Sequence, residues 1–118
     1  MIKDDPNTGQ KGEIIAQNYL KAQGYQVLES NWRHRRSEID IICVKDDILT
    51  FVEVKTSHSG QHYDPASRVD PKKVTMLKSA ALAFMESNEY EWAFQFDIIA
   101  IILHDQSHEI LHYPDAFF

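Results

Sequence analysis

The chain has 118 residues, of which 43% are hydrophobic, and a formal net charge of −6 at pH 7. A chain of this length is expected to form a single domain over residues 1–118 that needs no disulfide bonds, and its one cysteine, Cys43, excludes a disulfide framework. The N-terminus does not resemble a signal peptide and no apolar run is long enough to cross a bilayer, so we expect a cytoplasmic protein with no membrane partner.

The spacing of apolar residues predicts an α/β fold with the order helix, three strands, helix, strand, and a short C-terminal strand or tail. The predicted helices run from about Thr8 to Gln23 and from Pro71 to about Glu86; the predicted strands are Tyr25 to Trp32, Glu38 to Val44, Ile48 to Val54 and Trp92 to Leu103. Gly24 ends the first helix, and Asp70 is the expected N-cap of the second. A long polar loop, Thr56 to Val69, precedes the second helix.

The second and third strands form a predicted hairpin around Asp46 and Asp47. A two-residue loop would place Asp40 opposite Glu53. One face then carries Glu38, Asp40, Ile42, Val44, Leu49, Phe51, Glu53 and Lys55, and the other carries Ile39, Ile41, Cys43, Ile48, Val52 and Val54. A three-residue loop would instead put Asp40 and Glu53 on opposite faces.

Two facing carboxylates with Cβ atoms about 5 Å apart repel each other, and partial burial strengthens the repulsion. A divalent cation bound by Asp40 and Glu53 would relieve it. The alternative is that Asp40 is an ordinary acid at a strand end and that Glu53 forms a salt bridge with Lys55 or Arg33. Spacing alone leaves both interpretations open.

Positive charge is concentrated in the first two thirds of the chain. Residues 1–78 contain all twelve Lys and Arg residues and eleven acids, whereas residues 79–118 contain seven acids and no Lys or Arg. The basic residues near the hairpin are Arg33, Arg35, Arg36, Arg68, Lys72, Lys73 and Lys78. They indicate either a basic surface around an acidic centre, suited to nucleic acid, or an ordinary solvated face.

Two other groups of polar residues carry weaker signals. Asp97 interrupts an apolar strand, and we interpret it as an acid that bonds to backbone or to a basic neighbour. His104, His108 and His112 have a helical spacing, but the sequence between them indicates a turn, so we do not expect a zinc site.

The chain resembles the YraN family, which is described as uncharacterised and related to Holliday junction resolvases, within the PD-(D/E)xK nuclease superfamily. The matching stretches are Gly12-Glu13, Ala16, Tyr19-Leu20, Gly24-Tyr25, Asn31-Trp32-Arg33, Glu38-Ile39-Asp40, Phe51-Val52-Glu53-Val54-Lys55, Lys73, Leu77, Phe96-Asp97 and Ala116-Phe117. Three positions depart from the family pattern. Ser37 replaces a usual glycine, and Ser57 and Gln95 stand where arginines are common, which would weaken phosphate contacts.

The resemblance implies a restriction-endonuclease-like three-layer fold, with a mixed central β-sheet flanked by helices. It also implies a metal-dependent endonuclease that hydrolyses DNA, including branched or junction DNA, with Glu13, Asp40, Glu53 and Lys55 in the active-site positions. Mg²⁺ or Mn²⁺ would be held by Asp40, Glu53, the Val54 carbonyl and Glu13.

The expected partner is nucleic acid, DNA rather than RNA, held through Arg33, Arg35, Arg36, Lys72 and Lys73. A homodimer is one expected state, because two symmetric cuts need two sites, and a monomer is the other. Two alternative functions remain: a non-catalytic nucleic-acid-binding or protein-adaptor module on the same fold, and a partner protein that docks through Ala116-Phe117-Phe118.

Overall fold

The computed structural model describes residues 7–59, 71–91 and 93–116, which form one five-stranded mixed sheet between two helices. The elements are α1 (Thr8–Ala22), β1 (Gln26–His34), β2 (Ser37–Lys45), β3 (Ile48–His58), α2 (Pro71–Ser87), β4 (Ala93–Leu103) and β5 (His108–Tyr113). The predicted α/β class and element order are confirmed. Strand β3 runs four residues further than predicted, while Asp70, Trp92 and most of the predicted loop lie outside the described residues.

The strands follow one another across the sheet in the order β1-β2-β3-β4-β5. Only the β3–β4 pair is parallel among these neighbours, and the connection between the two strands contains α2. A parallel pair requires such a crossover, whereas antiparallel neighbours can be joined by tight turns. No helix in the described ranges is long and apolar enough to span a membrane.

The predicted two-residue hairpin loop between β2 and β3 is confirmed. Lys45 pairs with Ile48, and Ile42 pairs with Phe51. Asp46 and Asp47 both have positive φ angles, 53° and 63°, as the two central residues of a type I′ turn require. The turn therefore fixes the register that directs the side chains of Asp40 and Glu53.

The two faces of the sheet bury separate apolar clusters. The cluster under α2 centres on Phe51, Leu77 and Phe84, and the cluster under α1 contains Leu20 and Val52. Each helix thus covers one face, which gives the three-layer arrangement.

The predicted face of Ile39 is wrong, because Ile39 belongs to the α2-side cluster while Ile41 belongs to the α1-side cluster. Between the pairs Ser30–Ile41 and Trp32–Ile39 lies Asn31, whose φ of 53° is left-handed. Ile39 also lies beyond the last β2–β3 pair, Ile41–Val52, so the alternation of the hairpin does not extend to it. The change of face occurs beside Asp40.

The ladders on either side of β2 and β3 have different lengths, and this produces a fork. The β2–β3 pairs run from Lys45–Ile48 to Ile41–Val52, whereas β2 pairs with β1 as far as Ser37 and β3 pairs with β4 as far as His58. The two strands therefore follow different neighbours beyond Ile41 and Val52. We call residues 38–40 of β2 and 53–55 of β3 the β2–β3 fork.

Helix α1 approaches β3 closely through a glycine. Gly12 is buried, and a Cβ atom built on it would lie 2.8 Å from Cβ of Thr56 and would overlap its hydroxyl group. Only a residue without a side chain permits this approach. The contact holds the N-terminal half of α1, including Glu13, against the end of β3.

We predict that Gly12→Ala lowers the thermal midpoint of unfolding, because the added methyl group must push Thr56 or the helix away, at a cost of about 1–3 kcal/mol. Gly9→Ala is the matched control on the same helix, since a Cβ there meets nothing within 4 Å. Alanine is the better helix former, so Gly9→Ala should be neutral or stabilising by up to about 1 kcal/mol. Equal destabilisation by both substitutions in thermal melts would contradict the close-approach argument.

Candidate active site at the β2–β3 fork

Asp40 is the central acid of the fork. Its Oδ2 accepts a hydrogen bond from the Val54 amide at 2.8 Å, across the point where the strand ladder has ended. Burial, followed by the negative charge of Glu53, raises the pKa of Asp40 to about 7; the Val54 hydrogen bond lowers it, and Glu13 and Glu38 raise it further. Burial and neighbouring acids disfavour the ionised form of a carboxyl group, and a bound cation would stabilise that form.

Glu53 is neutralised by two lysines in this structure. Its Oε2 lies 3.1 Å from Nζ of Lys73, on α2, and 3.2 Å from Nζ of Lys55, two residues along β3. The predicted pairing of Glu53 with Lys55 is therefore present, whereas Arg33 lies 3.5 Å from Oε1 of Glu38 instead. Lys73, expected from the sequence to contact nucleic acid, has its ammonium on the acidic centre.

Glu13 reaches the same acidic centre from α1. Its pKa is raised by burial above all and also by the charges of Glu38 and Glu53, while a side-chain hydrogen bond with Asn31 lowers it. Asn31 is a neighbour of this site that the sequence did not single out as functional; its backbone φ of 53° is left-handed, which asparagine tolerates. The structure thus brings Glu13, Asp40, Glu53 and Lys55 near one another, and their roles stay predictions.

The predicted metal ligands match Mg²⁺ or Mn²⁺ in chemistry but are not assembled in advance. All are hard oxygen donors. Burial first and the charge of Glu53 second raise the pKa of Asp40, and a divalent cation would offset that charge. Within the described ranges, however, no three His, Cys, Asp or Glu side chains are close enough together to form a ready metal cluster. Binding would require the Lys73 ammonium to leave Glu53.

A cavity of about 390 Å³ opens at the fork, between the β1–β2 turn and α2. The acids Glu38, Asp40 and Glu53 line it together with Arg36 and Lys73. We call it the acidic cavity. Acidic groups able to hold a cation and basic groups able to hold a phosphate therefore share one concave surface, which is the usual setting of a hydrolytic site.

The other basic residues predicted to bind nucleic acid lie around this cavity at different distances. Arg35 and Arg36 form the β1–β2 turn, and Arg35 has a left-handed φ of 57°. Lys72 is exposed in the first turn of α2. The side chain of Arg33 is 75% exposed despite its contact with Glu38. Arg68 is outside the described residues.

Comparison with known proteins identifies the family. The model of the "Uncharacterised protein family UPF0102" matches residues 12–101. The chain belongs to UPF0102. The match confirms the resemblance to YraN proteins, which this family comprises.

Relatives cover nearly all of the chain. A UPF0102 protein from Flavobacterium psychrophilum is 38% identical over 110 residues, covering 93% of this chain and 92% of the relative. Another from Chloroherpeton thalassium is 41% identical over 113 residues, covering 93% and 88%. A third, from Chlorobaculum parvum, is 40% identical over 116 residues, covering 92% and 90%. UPF0102 is described as uncharacterised, so membership alone assigns no activity.

A second polar network in this UPF0102 protein lies on the α1 side of the sheet. Asp97 is fully buried, and its carboxylate accepts hydrogen bonds from Gln95 Nε2 at 2.9 Å, His112 Nε2 at 2.7 Å and the Asp115 amide at 3.0 Å. Nδ1 of His112 in turn lies 2.9 Å from the Tyr19 hydroxyl. The interpretation of Asp97 as a hydrogen-bonded acid is confirmed. No local sequence pattern indicates that Tyr19 or His112 would join it.

Gln95 stands where the resemblance led us to expect an arginine. Its Nε2 donates to Asp97 Oδ1 at 2.9 Å, so its side chain is directed at that buried acid. Nε2 of His112 lies 2.7 Å from the other oxygen of Asp97, and Nε2 of His104 lies 2.6 Å from Oε2 of Glu109. The two histidines therefore contact separate acids.

We predict that Asp40→Asn stabilises the metal-free protein at pH 8 and changes its stability little at pH 4.5. The folded-state pKa of Asp40, about 7, exceeds its unfolded value, so its contribution to stability is fully present below about pH 4 and is lost as pH rises through 7. Asparagine keeps an oxygen that can accept the Val54 amide proton.

The thermal midpoint of Asp40→Asn should exceed that of wild type by about 4 °C or more at pH 8. Asp105→Asn, at an exposed acid in the β4–β5 turn, is the control and should show no such dependence. A difference between Asp40→Asn and wild type that is the same at pH 4.5 and pH 8 would contradict the raised pKa.

Proposed function

We propose that this protein is a metal-dependent endonuclease that hydrolyses phosphodiester bonds in DNA, with its active site at the β2–β3 fork. The observation that carries the proposal is that Asp40 and Glu53 line one cavity, with Lys55 beside Glu53 and with the charge of Glu13 close enough to raise the pKa of Asp40. Like-charged acids gathered in a cleft together with a lysine are costly to stability, and such arrangements cluster at functional sites.

The residues that would hold Mg²⁺ or Mn²⁺ are Asp40 and Glu53, with the Val54 carbonyl as a further oxygen ligand and Glu13 binding directly or through water. When bound, the metal supplies a Lewis acid that polarises the phosphate and lowers the pKa of water. The Val54–Asp40 hydrogen bond holds the carboxylate in place. Glu53 becomes available once Lys73 leaves it.

Lys55 is the residue that acts on the reacting atoms. Its ammonium lies within ion-pair distance of Glu53, so it stands at the acidic centre where the attacking water and the phosphate meet. There it orients the water and stabilises the negative charge that develops on the phosphoryl oxygens. Arg36 and Lys73, at the rim of the same cavity, hold the phosphate backbone without reading sequence.

DNA is proposed to approach from the β1–β2 turn and α2, where the described arginines and Lys72, Lys73 and Lys78 lie, and not from the acidic last third. Branched or single-stranded DNA is the proposed substrate class because the chain resembles proteins related to junction resolvases. A homodimer would allow two symmetric cuts in a junction.

A non-catalytic DNA-binding module is the second candidate, and one observation favours it. Lys55 and Lys73 already neutralise the charge of Glu53, so this acid does not need a metal as a partner. In that case Lys73 would stay on Glu53, and cleavage would be absent while salt-sensitive DNA binding remained.

The docking alternative involves Phe117 and Phe118, which lie outside the described residues. The preceding Ala116 amide donates to the Phe96 carbonyl at 2.7 Å.

We predict that Mn²⁺ raises the thermal midpoint of the wild-type protein and that Asp40→Asn and Glu53→Gln each abolish the rise. A metal that binds only the folded state stabilises it by mass action, by about 2.7 kcal/mol at one hundred times its dissociation constant. Asp105→Asn makes the same charge change away from the fork and should keep the full shift. If all four proteins respond equally to Mn²⁺, the metal lies elsewhere.

We predict that Lys55→Ala lowers the rate of DNA cleavage at least about a hundredfold while the Mn²⁺-induced thermal shift is kept. Removing one group that stabilises transition-state charge commonly costs that factor in rate. Lys21→Ala, at an exposed lysine in the last turn of α1, serves as the control and should cleave like wild type. Cleavage by Lys55→Ala at the wild-type rate would assign the activity to another site or to a contaminant.

We predict that Arg35→Gly and Arg36→Ala each flatten the salt dependence of DNA binding by about one unit of slope, as expected for one lost phosphate contact. Arg35→Gly should also raise the thermal midpoint, because glycine adopts the left-handed φ of 57° without the cost of about 1–2 kcal/mol paid by other residues.

Titration of a fluorescent four-way junction and a matched duplex at several salt concentrations measures both slope and preference. Lys21→Ala again serves as the control and should keep the wild-type slope. Unchanged slopes in both arginine variants would show that the β1–β2 turn does not contact DNA.

A further inference from the structure

A second cavity, of about 300 Å³, lies next to the acidic cavity on the outer side of the β1–β2 turn. Its lining consists of His34, Arg35, Arg36, Ser37, Met76 and Ser79. Arg36, Ser37 and Met76 line both cavities, so the two are adjacent. Among the described residues, the second lining contains two arginines and no acid, whereas the first contains three acids.

The walls of this second cavity are held in place by the core. The ring of Trp32 packs edge-on against Phe84 of α2, with centroids 5.3 Å apart, and the His34 ring stacks on Trp32 at 6.0 Å with an interplanar angle of 3°. On the opposite side, the Ser37 hydroxyl donates to the Met76 carbonyl at 3.4 Å and ties the turn to α2. The cavity is therefore preformed rather than dependent on a ligand.

We propose, resting on the function proposed above, that this second cavity binds the base of an unpaired nucleotide adjacent to the phosphate in the acidic cavity. The groups around it are those that hold bases without reading sequence: an imidazole ring, arginine guanidinium planes and a methionine thioether. Arg36, which faces both cavities, is placed to contact the phosphate between them. The volume lies at the lower end of ligand pockets, which suits one base.

The occupant defines a substrate class. A base that is paired and stacked in continuous duplex can enter a side cavity only after it leaves the helix, and that step costs free energy. Single strands, flaps and the branch points of junctions already present unpaired bases. The two cavities together therefore select an unpaired nucleotide at the cleavage position, with phosphate in the acidic cavity and base in the second.

The test uses the methionine methyl groups as reporters. The chain has three methionines, Met1, Met76 and Met85; of the two that the structure describes, Met76 lines the second cavity and Met85 does not. With ¹³C-methyl methionine, each gives one signal in a two-dimensional NMR spectrum, and Met76→Leu assigns the relevant one. The probes are deoxyadenosine 5′-monophosphate and deoxyribose 5-phosphate, which differ only in the base, each titrated in the presence of Mg²⁺.

We expect the mononucleotide to shift the Met76 signal through the ring current of its base and to bind about tenfold more tightly than the sugar phosphate. Ser79→Trp, at an exposed position of α2, should fill the cavity and remove this tenfold difference, whereas Ser79→Ala should preserve it. Equal affinity for both probes in wild type, or an unchanged mononucleotide response in Ser79→Trp, would overturn the proposal.

The Mn²⁺ thermal shift separates this proposal from the proposed nuclease function. Both Ser79 variants should keep the shift, because Ser79 lines the second cavity and is not among the residues that line the acidic cavity with Asp40 and Glu53. A Met76 response to the base in a protein with no Mn²⁺ shift and no cleavage would uphold the base cavity and contradict the nuclease. A full Mn²⁺ shift with equal affinity for the two probes would uphold the metal site and contradict the base cavity.

Discussion

The hydrogen bond from the Val54 amide to Asp40 Oδ2 is the interaction on which the fork depends. At this point β2 and β3 stop pairing with each other and continue with different neighbours. A backbone amide left without a partner there would be costly, and a carboxylate side chain supplies the missing acceptor. The same carboxylate then faces the gap between the strands, where Glu53 and Glu13 converge. This hydrogen bond thus satisfies the Val54 amide at the end of the β2–β3 ladder and holds the Asp40 carboxylate in position.

The charges around the fork have opposing effects: the acids repel one another, and two lysines neutralise one of them. Burial and the neighbouring acids raise the pKa of Asp40 to about 7, while Lys55 and Lys73 hold Glu53. Under the proposed function, a divalent cation would neutralise these acids in place of the lysines, and Lys73, whose side chain is 47% exposed on α2, would contact a phosphate instead of Glu53.

Much of this arrangement follows from local sequence. Alternation of apolar residues and the Asp46-Asp47 turn fix the hairpin register, and the register brings Asp40 and Glu53 together; Gly24 marks the end of the first helix. What local pattern cannot supply is the effect of contacts distant in the chain. Lys73 meets Glu53 across twenty residues, Tyr19 meets His112 across ninety-three, and Ile39 changes face beyond the last β2–β3 pair. The family resemblance named the acidic residues, but the Lys73 contact and the second cavity emerge only from the packing of α2 against the β1–β2 turn.

The anomalous scattering of a crystal soaked with Mn²⁺ would show whether Asp40 and Glu53 hold a divalent metal. We expect a strong anomalous peak within bonding distance of oxygens from both residues, with the Lys73 ammonium moved off Glu53. An absence of any peak at the fork at saturating Mn²⁺, with Lys73 still bound to Glu53, would contradict it and leave a fold whose acidic centre is closed by its own lysines.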